Sequence, residues 1–143
     1  MKRAWFFDID GTLSDPSHRL HHIQKKPKDW RAFFAACDGD APIPHMIDLA
    51  QMLPAPVVCL SGRSDECRQL TVEWLTKHGV LIHGLFMRKA GDYRDDSVVK
   101  VELLAEAREA GFEPIMIFED RKRVVDVWRK LGIPCAQIAD GDF

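Results

Sequence analysis

An apolar run, Ala4 to Phe7, drives into two carboxylates one residue apart, Asp8 and Asp10, and Gly11 then turns the chain. A run of this kind reads as a strand buried on both faces, which places it at the centre of a parallel sheet. That one element constrains the rest, because open parallel sheets carry their chemistry at the carboxyl ends of their strands. Asp8 falls at such an end. Asp10 has strand-like spacing from it, so both can face one pocket before Gly11 bends the backbone away. Two carboxylates this close repel when both are charged and unpaired. A bound divalent cation or a shared proton removes the conflict. The plainer alternative is a strand followed by an acidic Asx turn.

The pattern recurs along the chain. Val57-Val58-Cys59-Leu60 reads as a second buried strand, ending in Ser61-Gly62-Arg63. A hydroxyl, a glycine and an arginine between a strand and a helix make an anion site, with backbone N–H groups and the helix N-terminus facing the ligand. The next helix carries Cys67, Leu70, Thr71, Trp74 and His78 on one face and stops at Gly79. A third strand is expected at 84–87, and a polar loop from Arg88 to Asp95. A helix then runs from about Ser97 to Ala110, started by Asp95 or Asp96. Lys100 lies four residues after Asp96, either as an exposed i,i+4 ion pair or as a lysine steered toward a phosphate. Ile115–Phe118 is a fourth strand, ending in a second acidic pair, Glu119-Asp120. A helix bearing Val124, Val127, Trp128 and Leu131 follows, and residues 135–138 form the last strand. This β–α alternation predicts a three-layer α/β fold with a parallel sheet of about five strands.

The first strand and the second are separated by far more chain than an ordinary connection needs. The excess, about residues 15–42, is expected to form a small cap over the strand ends, with a short helix around Trp30, Phe33 and Phe34. The 143 residues then make one domain, 1–143, with a formal net charge of −2 and no global pull toward nucleic acid or membrane. Basic residues are nonetheless bunched at Lys25, Lys26, Lys28 and Arg31, at Arg88, Lys89 and Arg94, and at Arg121, Lys122 and Arg123. Cys37, Cys59, Cys67 and Cys135 lack CxxC spacing and read as reduced thiols. No apolar stretch is long enough to span a bilayer, and the carboxylates interrupt the one N-terminal apolar run. The expected location is the cytosol.

The four strand ends together supply carboxylates on two strands, a hydroxyl, an arginine and a lysine. Paired carboxylates suit Mg²⁺, which takes few carboxylates plus phosphate oxygens, and phosphoryl transfer needs a positive, preorganised surround. In that setting Asp8 could attack phosphorus. Asp10, held protonated in the free state, could serve as general acid and then base.

These residues resemble a known family. Asp8-Ile9-Asp10-Gly11-Thr12 is similar to the first motif of the haloacid dehalogenase-like (HAD) phosphatases. Ser61-Gly62-Arg63, Lys100 and Glu119-Asp120 resemble the second, third and fourth, in order. The resemblance implies a Rossmann-like HAD fold. It makes Asp8 the nucleophile, Asp10 the general acid/base, Lys100 the residue that stabilises the phosphate and aspartate charges, and Ser61 a phosphate ligand with Gly62 and Thr12 beside it. Asp8, the Asp10 carbonyl and Asp120 would hold Mg²⁺, with Glu119 also in the metal set.

The chain further resembles the 3′-phosphatase half of phage polynucleotide kinase/3′-phosphatases. The carrying residues are Gly91-Asp92, Arg94-Asp95-Asp96, Val98-Val99-Lys100, Asp120-Arg121, Val124-Val125, Val127-Trp128-Arg129, Gln137 and Gly141-Asp142-Phe143. That pattern implies that Arg19 and Arg63 contact the substrate phosphate and that Asp96, at the substrate site, braces Lys100. It departs at Glu119, where the relative carries aspartate and the added methylene can shift the outer metal shell. The kinase half has no counterpart here, since no Gly-rich loop ending in Gly-Lys-Ser/Thr occurs. The implied activity is Mg²⁺-dependent removal of 3′-phosphates from DNA or RNA ends. A separate polynucleotide kinase or ligase is an expected partner, and a membrane is not. The alternatives are a small-molecule phosphatase of the same type and a non-catalytic domain that binds nucleic-acid ends.

Overall fold

The computed structural model describes residues 1–54 and 56–142, so Phe143 of the C-terminal motif lies outside the described residues. The strands are β1 (Lys2–Phe7), β2 (Ser14–Asp15), β3 (Ala41–Pro42), β4 (Val57–Ser64), β5 (Gly84–Arg88), β6 (Phe112–Glu119) and β7 (Cys135–Gln137). The helices are α1 (His21–Gln24), α2 (Trp30–Ala35), α3 (Pro44–Met52), α4 (Arg68–Lys77), α5 (Asp96–Glu109) and α6 (Lys122–Lys130). Five strands form one parallel sheet in the order β5-β4-β1-β6-β7.

β1 is the central strand because both of its faces are apolar. Ala4 and Phe6 pack with Val99, Leu103 and Leu104 of α5 and with Val124 and Trp128 of α6. Phe7 belongs to the opposite core, with Met46, Ile47 and Ala50 of α3 and with Trp74 and Leu75 of α4. Helices therefore cover both faces, giving the three-layer α/β fold that the alternation predicts. Phe6 and Phe7 are each fully buried, a contribution of about 1.5–3 kcal/mol apiece. Phe7 lies level with Cys59 on one side and Phe118 on the other.

Two boundaries differ from the sequence reading. β6 begins at Phe112 and includes Pro114, which central strands normally exclude. The register shifts between Ala4 and Trp5, beside the Ala4–Pro114 pair, and a bulge of this kind accommodates the missing N–H. β4 also runs on through Ser61-Gly62-Arg63-Ser64, and a single-turn 3₁₀ helix, Asp65–Cys67, precedes α4. Ser61 is thus part of the strand and does not sit at a helix N-terminus, because the Ser64 hydroxyl caps the 3₁₀ turn instead, accepting from Glu66 N at 3.3 Å.

The segment between β2 and β3 carries α1 and α2, and these two short strands pair antiparallel at its base, Ser14 with Pro42 and Asp15 with Ala41. The expected helix around Trp30, Phe33 and Phe34 is α2, and it is capped by the Asp29 carboxylate, which accepts from Ala32 N at 3.0 Å. The four cysteines are free thiols. Among the described residues no helix is long and apolar enough to cross a membrane.

Candidate active site

From β1 the chain moves outward to β4 and β5, then returns to lay β6 and β7 on the other side. The direction reverses beside β1, and in such sheets the crevice lies outside the carboxyl ends at the reversal. Asp8 and the Glu119-Asp120 pair occupy those ends, held together by Asp8 N donating to the Phe118 carbonyl at 3.0 Å. Lys100, fully buried on α5, inserts between them. Its Nζ donates to Asp8 Oδ1 at 2.8 Å and to Glu119 Oε1 at 2.9 Å. The exposed Asp96–Lys100 pair, one of the two readings open for Lys100, does not form, because the lysine is buried. The Thr12 hydroxyl donates to Asp8 Oδ2 at 3.4 Å, and Asp120 N donates to Glu119 Oε2 at 3.1 Å.

Three buried carboxylates lie together, and one ammonium pairs with two of them. Burial, followed by the charge of Glu119, pushes the Asp8 carboxyl well above the usual range. Burial likewise raises Glu119, and burial with the Asp8 charge raises Asp120 to about 7. One oxygen from each of Asp8, Glu119 and Asp120 lies within 4.8 Å of the others. An all-oxygen set with excess negative charge fits a hard divalent cation of the Mg²⁺ kind. Gly11 makes room for this cluster: its φ is +82°, and a Cβ there would overlap the Asp120 carboxylate.

Asp10 points elsewhere. Its Oδ1 accepts from Arg19 Nη2 at 2.7 Å and from Arg63 Nε at 2.9 Å, with the Ser14 hydroxyl at 3.4 Å. Burial alone would raise its pKa, but Arg63 and then Arg19 outweigh it and hold the carboxyl below the usual range. The expectation of a protonated Asp10 in the free protein is therefore corrected. Two guanidiniums stabilise the anion, and the Asp10 carboxylate is not among the oxygens that cluster at Asp8, Glu119 and Asp120.

The arginines are also placed differently. Arg19 is 0% and Arg63 1% exposed. Besides Asp10 they donate to Asp40, with Arg19 Nε to Oδ1 at 2.7 Å, Arg19 Nη2 to Oδ2 at 2.7 Å, and Arg63 Nη2 to Oδ2 at 3.2 Å. Remaining donors reach the Phe33 carbonyl, Thr71 and Ser14. Both guanidiniums are thus buried and committed to carboxylates in this structure. Asp40 is the residue the sequence reading missed. It sits in a polar break after a short helix, and nothing local marks it as buried.

Ser61 is buried at the end of β4, its hydroxyl accepting from Arg63 N at 3.1 Å. Gly62 and Asp96 are joined by Arg88, which donates to the Gly62 carbonyl at 2.7 Å and to Asp96 Oδ1 at 3.2 Å. The Asp96 carboxylate thus pairs with Arg88 and makes no hydrogen bond to Lys100. Its charge still favours the ammonium from a distance.

Gly141 sits against the Asp120 loop: Lys122 N donates to its carbonyl at 2.8 Å, and a Cβ at Gly141 would overlap the Asp120 carbonyl and the Arg121 Cα. Backbone cannot swing aside as a side-chain end can. Gly141→Ala is expected to destabilise by about 1–3 kcal/mol and to lower activity with it. Thermal unfolding checks this, and an unchanged midpoint would show that the tail does not hold the Asp120 loop.

A sheet of this order, with its acidic residues at the reversal, is the plan of the HAD-like phosphatases. A haloacid dehalogenase-like family hydrolase from Streptococcus pneumoniae shares the fold, with a TM-score of 0.65 over 96% of this chain and 84% of its own, at 18% identity. Within that class the chain belongs to the polynucleotide kinase phosphatase-domain family: the model described as "Polynucleotide kinase PNKP phosphatase domain" matches residues 2–143. A protein of Autographa californica nuclear polyhedrosis virus, assigned as a bifunctional polynucleotide kinase/RNA ligase, is 31% identical over 134 residues, which are 92% of this chain and 18% of that protein. A chain in the Pnkp1/Rnl/Hen1 complex is 31% identical with a TM-score of 0.82 over 100% of this chain and 47% of its own. A second chain, from a structure titled as the Pnkp1/Rnl/Hen1 RNA repair complex, gives 30% and 0.81, covering 100% of this chain and 44% of that one. The chain thus spans less than half the length of each of these three relatives.

Proposed function

We propose that the chain is a Mg²⁺-dependent phosphomonoesterase that removes the 3′-phosphate from DNA or RNA ends through an aspartyl-phosphate. The observation that carries the chemistry is Asp8. It is a carboxylate at the end of the central strand, fixed by Lys100 at 2.8 Å and sharing its site with Asp120. The family match supports the polynucleotide end as substrate. The relatives in an RNA repair complex support a separate polynucleotide kinase or ligase as working partner.

Asp8 attacks phosphorus, the bond from phosphorus to the 3′ oxygen breaks, and that oxygen takes a proton from Asp10. Water then attacks the aspartyl-phosphate, giving its proton to Asp10 and releasing inorganic phosphate and free Asp8. Asp10 is ionised in the free protein. The arriving phosphate anion raises its proton affinity, so its acid role begins once substrate is bound. Its hydrogen bonds among the described residues fall on Oδ1, which leaves Oδ2 to carry the proton. Arg19 and Arg63 fix that orientation. Ser61, with Gly62 and Thr12, lines the phosphate side, and Lys100 offsets charge on Asp8 as the phosphoryl group transfers. Asp96, held by Arg88, supports the loop that flanks the substrate. Mg²⁺ held by Asp8, Asp120 and the Asp10 carbonyl, with Glu119 behind, supplies charge neutralisation on the phosphate oxygens.

The test is phosphate release from a 3′-phosphorylated oligonucleotide, with Mg²⁺ and with chelator. Controls are a 5′-phosphorylated oligonucleotide, a mononucleotide 3′-phosphate and an aryl phosphate. Metal-dependent release favouring the 3′-oligonucleotide is expected, and release from small phosphates alone would remove the polynucleotide substrate. Metal must displace the proton that Asp120 retains up to about pH 7. The Mg²⁺ concentration for half-activity should therefore rise as pH falls below about 7.

A further inference from the structure

Three basic clusters stand out in the sequence, and the structure separates them. Arg88 is tied to Gly62 and Asp96, Lys89 to Glu106, and Arg94 to Asp92 and Glu102. Lys122 pairs with Asp126, Arg123 with Asp95, and Arg121 lies 3.8 Å from Asp96. Lys25, Lys26, Lys28 and Arg31 differ. All four are exposed, and none pairs with a carboxylate of a described residue. Their one acidic neighbour in the groove, Asp29, is committed to capping α2.

These four cations line a groove of about 460 Å³ with Trp30 and Tyr93. Trp30 is half-buried, its indole held by Phe33 and Phe34 at 5.8 and 5.9 Å between ring centroids. The Lys28 ammonium lies 5.7 Å from its centroid. Tyr93, from the loop between β5 and α5, is 73% exposed, although burying an aromatic face is favourable. The groove thus joins the cap to a loop leaving the carboxyl end of the sheet, the end that carries Asp8. In a chain of net charge −2, unpaired cations gathered here give a local positive field that the whole molecule lacks.

We propose that this groove is a track for a single-stranded polynucleotide, holding the nucleotides just upstream of the terminal phosphate at Asp8. The proposal rests on the end-phosphatase reading and deepens it. Cations and aromatic rings lining one groove match a strand that carries both phosphates and unpaired bases. Base stacking on aromatic side chains is tolerant of sequence. A base-paired duplex could not offer those faces.

The test uses the full chain and two variants outside the catalytic machinery: Tyr93→Ala, and Lys25→Ala with Lys26→Ala and Lys28→Ala. Turnover is measured on a 3′-phosphorylated hexanucleotide, a 3′-phosphorylated mononucleotide and an aryl phosphate. Binding of a fluorescent single-stranded oligonucleotide is measured by anisotropy in chelator. The parent should prefer the hexanucleotide. Each variant should lose roughly tenfold on it through KM, with the two small substrates unchanged. The triple variant should also show a shallower dependence of oligonucleotide binding on salt, by about 2 in log–log slope. An unchanged hexanucleotide-to-mononucleotide ratio in both variants, with the parent active on the hexanucleotide, overturns the track and leaves the phosphatase reading standing. Oligonucleotide binding lost in the variants, with a parent that hydrolyses only small phosphates, keeps the track and removes the end-phosphatase reading.

Discussion

Asp8→Asn is expected to abolish phosphate release, by at least about 10⁴-fold, while the protein folds normally. Removing an attacking group leaves only what binding and electrostatics supply. The amide keeps the shape of the side chain and can still accept from Thr12 and Lys100, but it cannot attack phosphorus as an anion. Its stability should stay within about 1 kcal/mol of the parent. The reason is electrostatic: in the metal-free protein burial, then the charge of Glu119, pushes the Asp8 carboxyl well above the usual range. A neutral side chain thus relieves crowding among three carboxylates, and Lys100 retains Glu119 at 2.9 Å as its partner. Phosphate release and thermal unfolding on the same preparation check both parts. Turnover within about 100-fold of the parent in a folded Asp8→Asn protein would remove Asp8 as nucleophile.

Asp40→Ala should have the largest effect on stability, a loss of about 3–5 kcal/mol, because it strands buried charge. Asp40, Arg19 and Arg63 all have side chains at 0% exposure. The two guanidiniums share two carboxylates, Asp10 and Asp40. Without Asp40 one positive charge is uncompensated, and the bidentate grip on Arg19 is lost. The same residue ties the cap segment to the core, since Trp74 Nε1 donates to its carbonyl at 2.8 Å and His18 lies 2.8 Å from its carboxylate. The unfolding midpoint should fall by on the order of 10 °C. Asp40→Asn, which keeps an acceptor and the volume, should fall less. Turnover should decline in both, through kcat more than KM, as Asp10 loses its fixed orientation. A loss below about 1 kcal/mol for Asp40→Ala would show that the arginines find other acceptors.

Several parts of this molecule are written locally. Ala4–Phe7 has to be buried on both faces because it offers no polar side chain to solvent. Gly11 allows the turn, and Asp29 starts α2. The faces of α4 and α6 follow from spacing: Trp74 and Trp128 fall on the apolar stripe and are buried. Strand ends that finish in acids or hydroxyls point to one rim of the sheet, and Asp8, Lys100 and Asp120 do converge there. For these features the deciding forces act between residues a few positions apart, so periodicity and turn chemistry report them.

Other features depended on which elements became neighbours. The Lys100–Asp8 bond joins residues 92 apart in sequence and exists only because α5 packs against the end of β1. Asp10 looks like the twin of Asp8 by spacing, yet Arg19 and Arg63 turn it away and keep it ionised. Asp96 has i,i+4 spacing to Lys100 but gives its carboxylate to Arg88. Asp40 carries no local sign of burial, and that no carboxylate of a described residue pairs with Lys25, Lys26, Lys28 or Arg31 emerges only once the other basic clusters have found their acids. Charge pairing is a long-range choice made in a low-dielectric interior. The sequence by itself determined the strands, the helix faces and the acids at the rim. The tertiary structure decided which charge meets which, because sheet order and the packing of the cap select partners that sequence spacing does not encode.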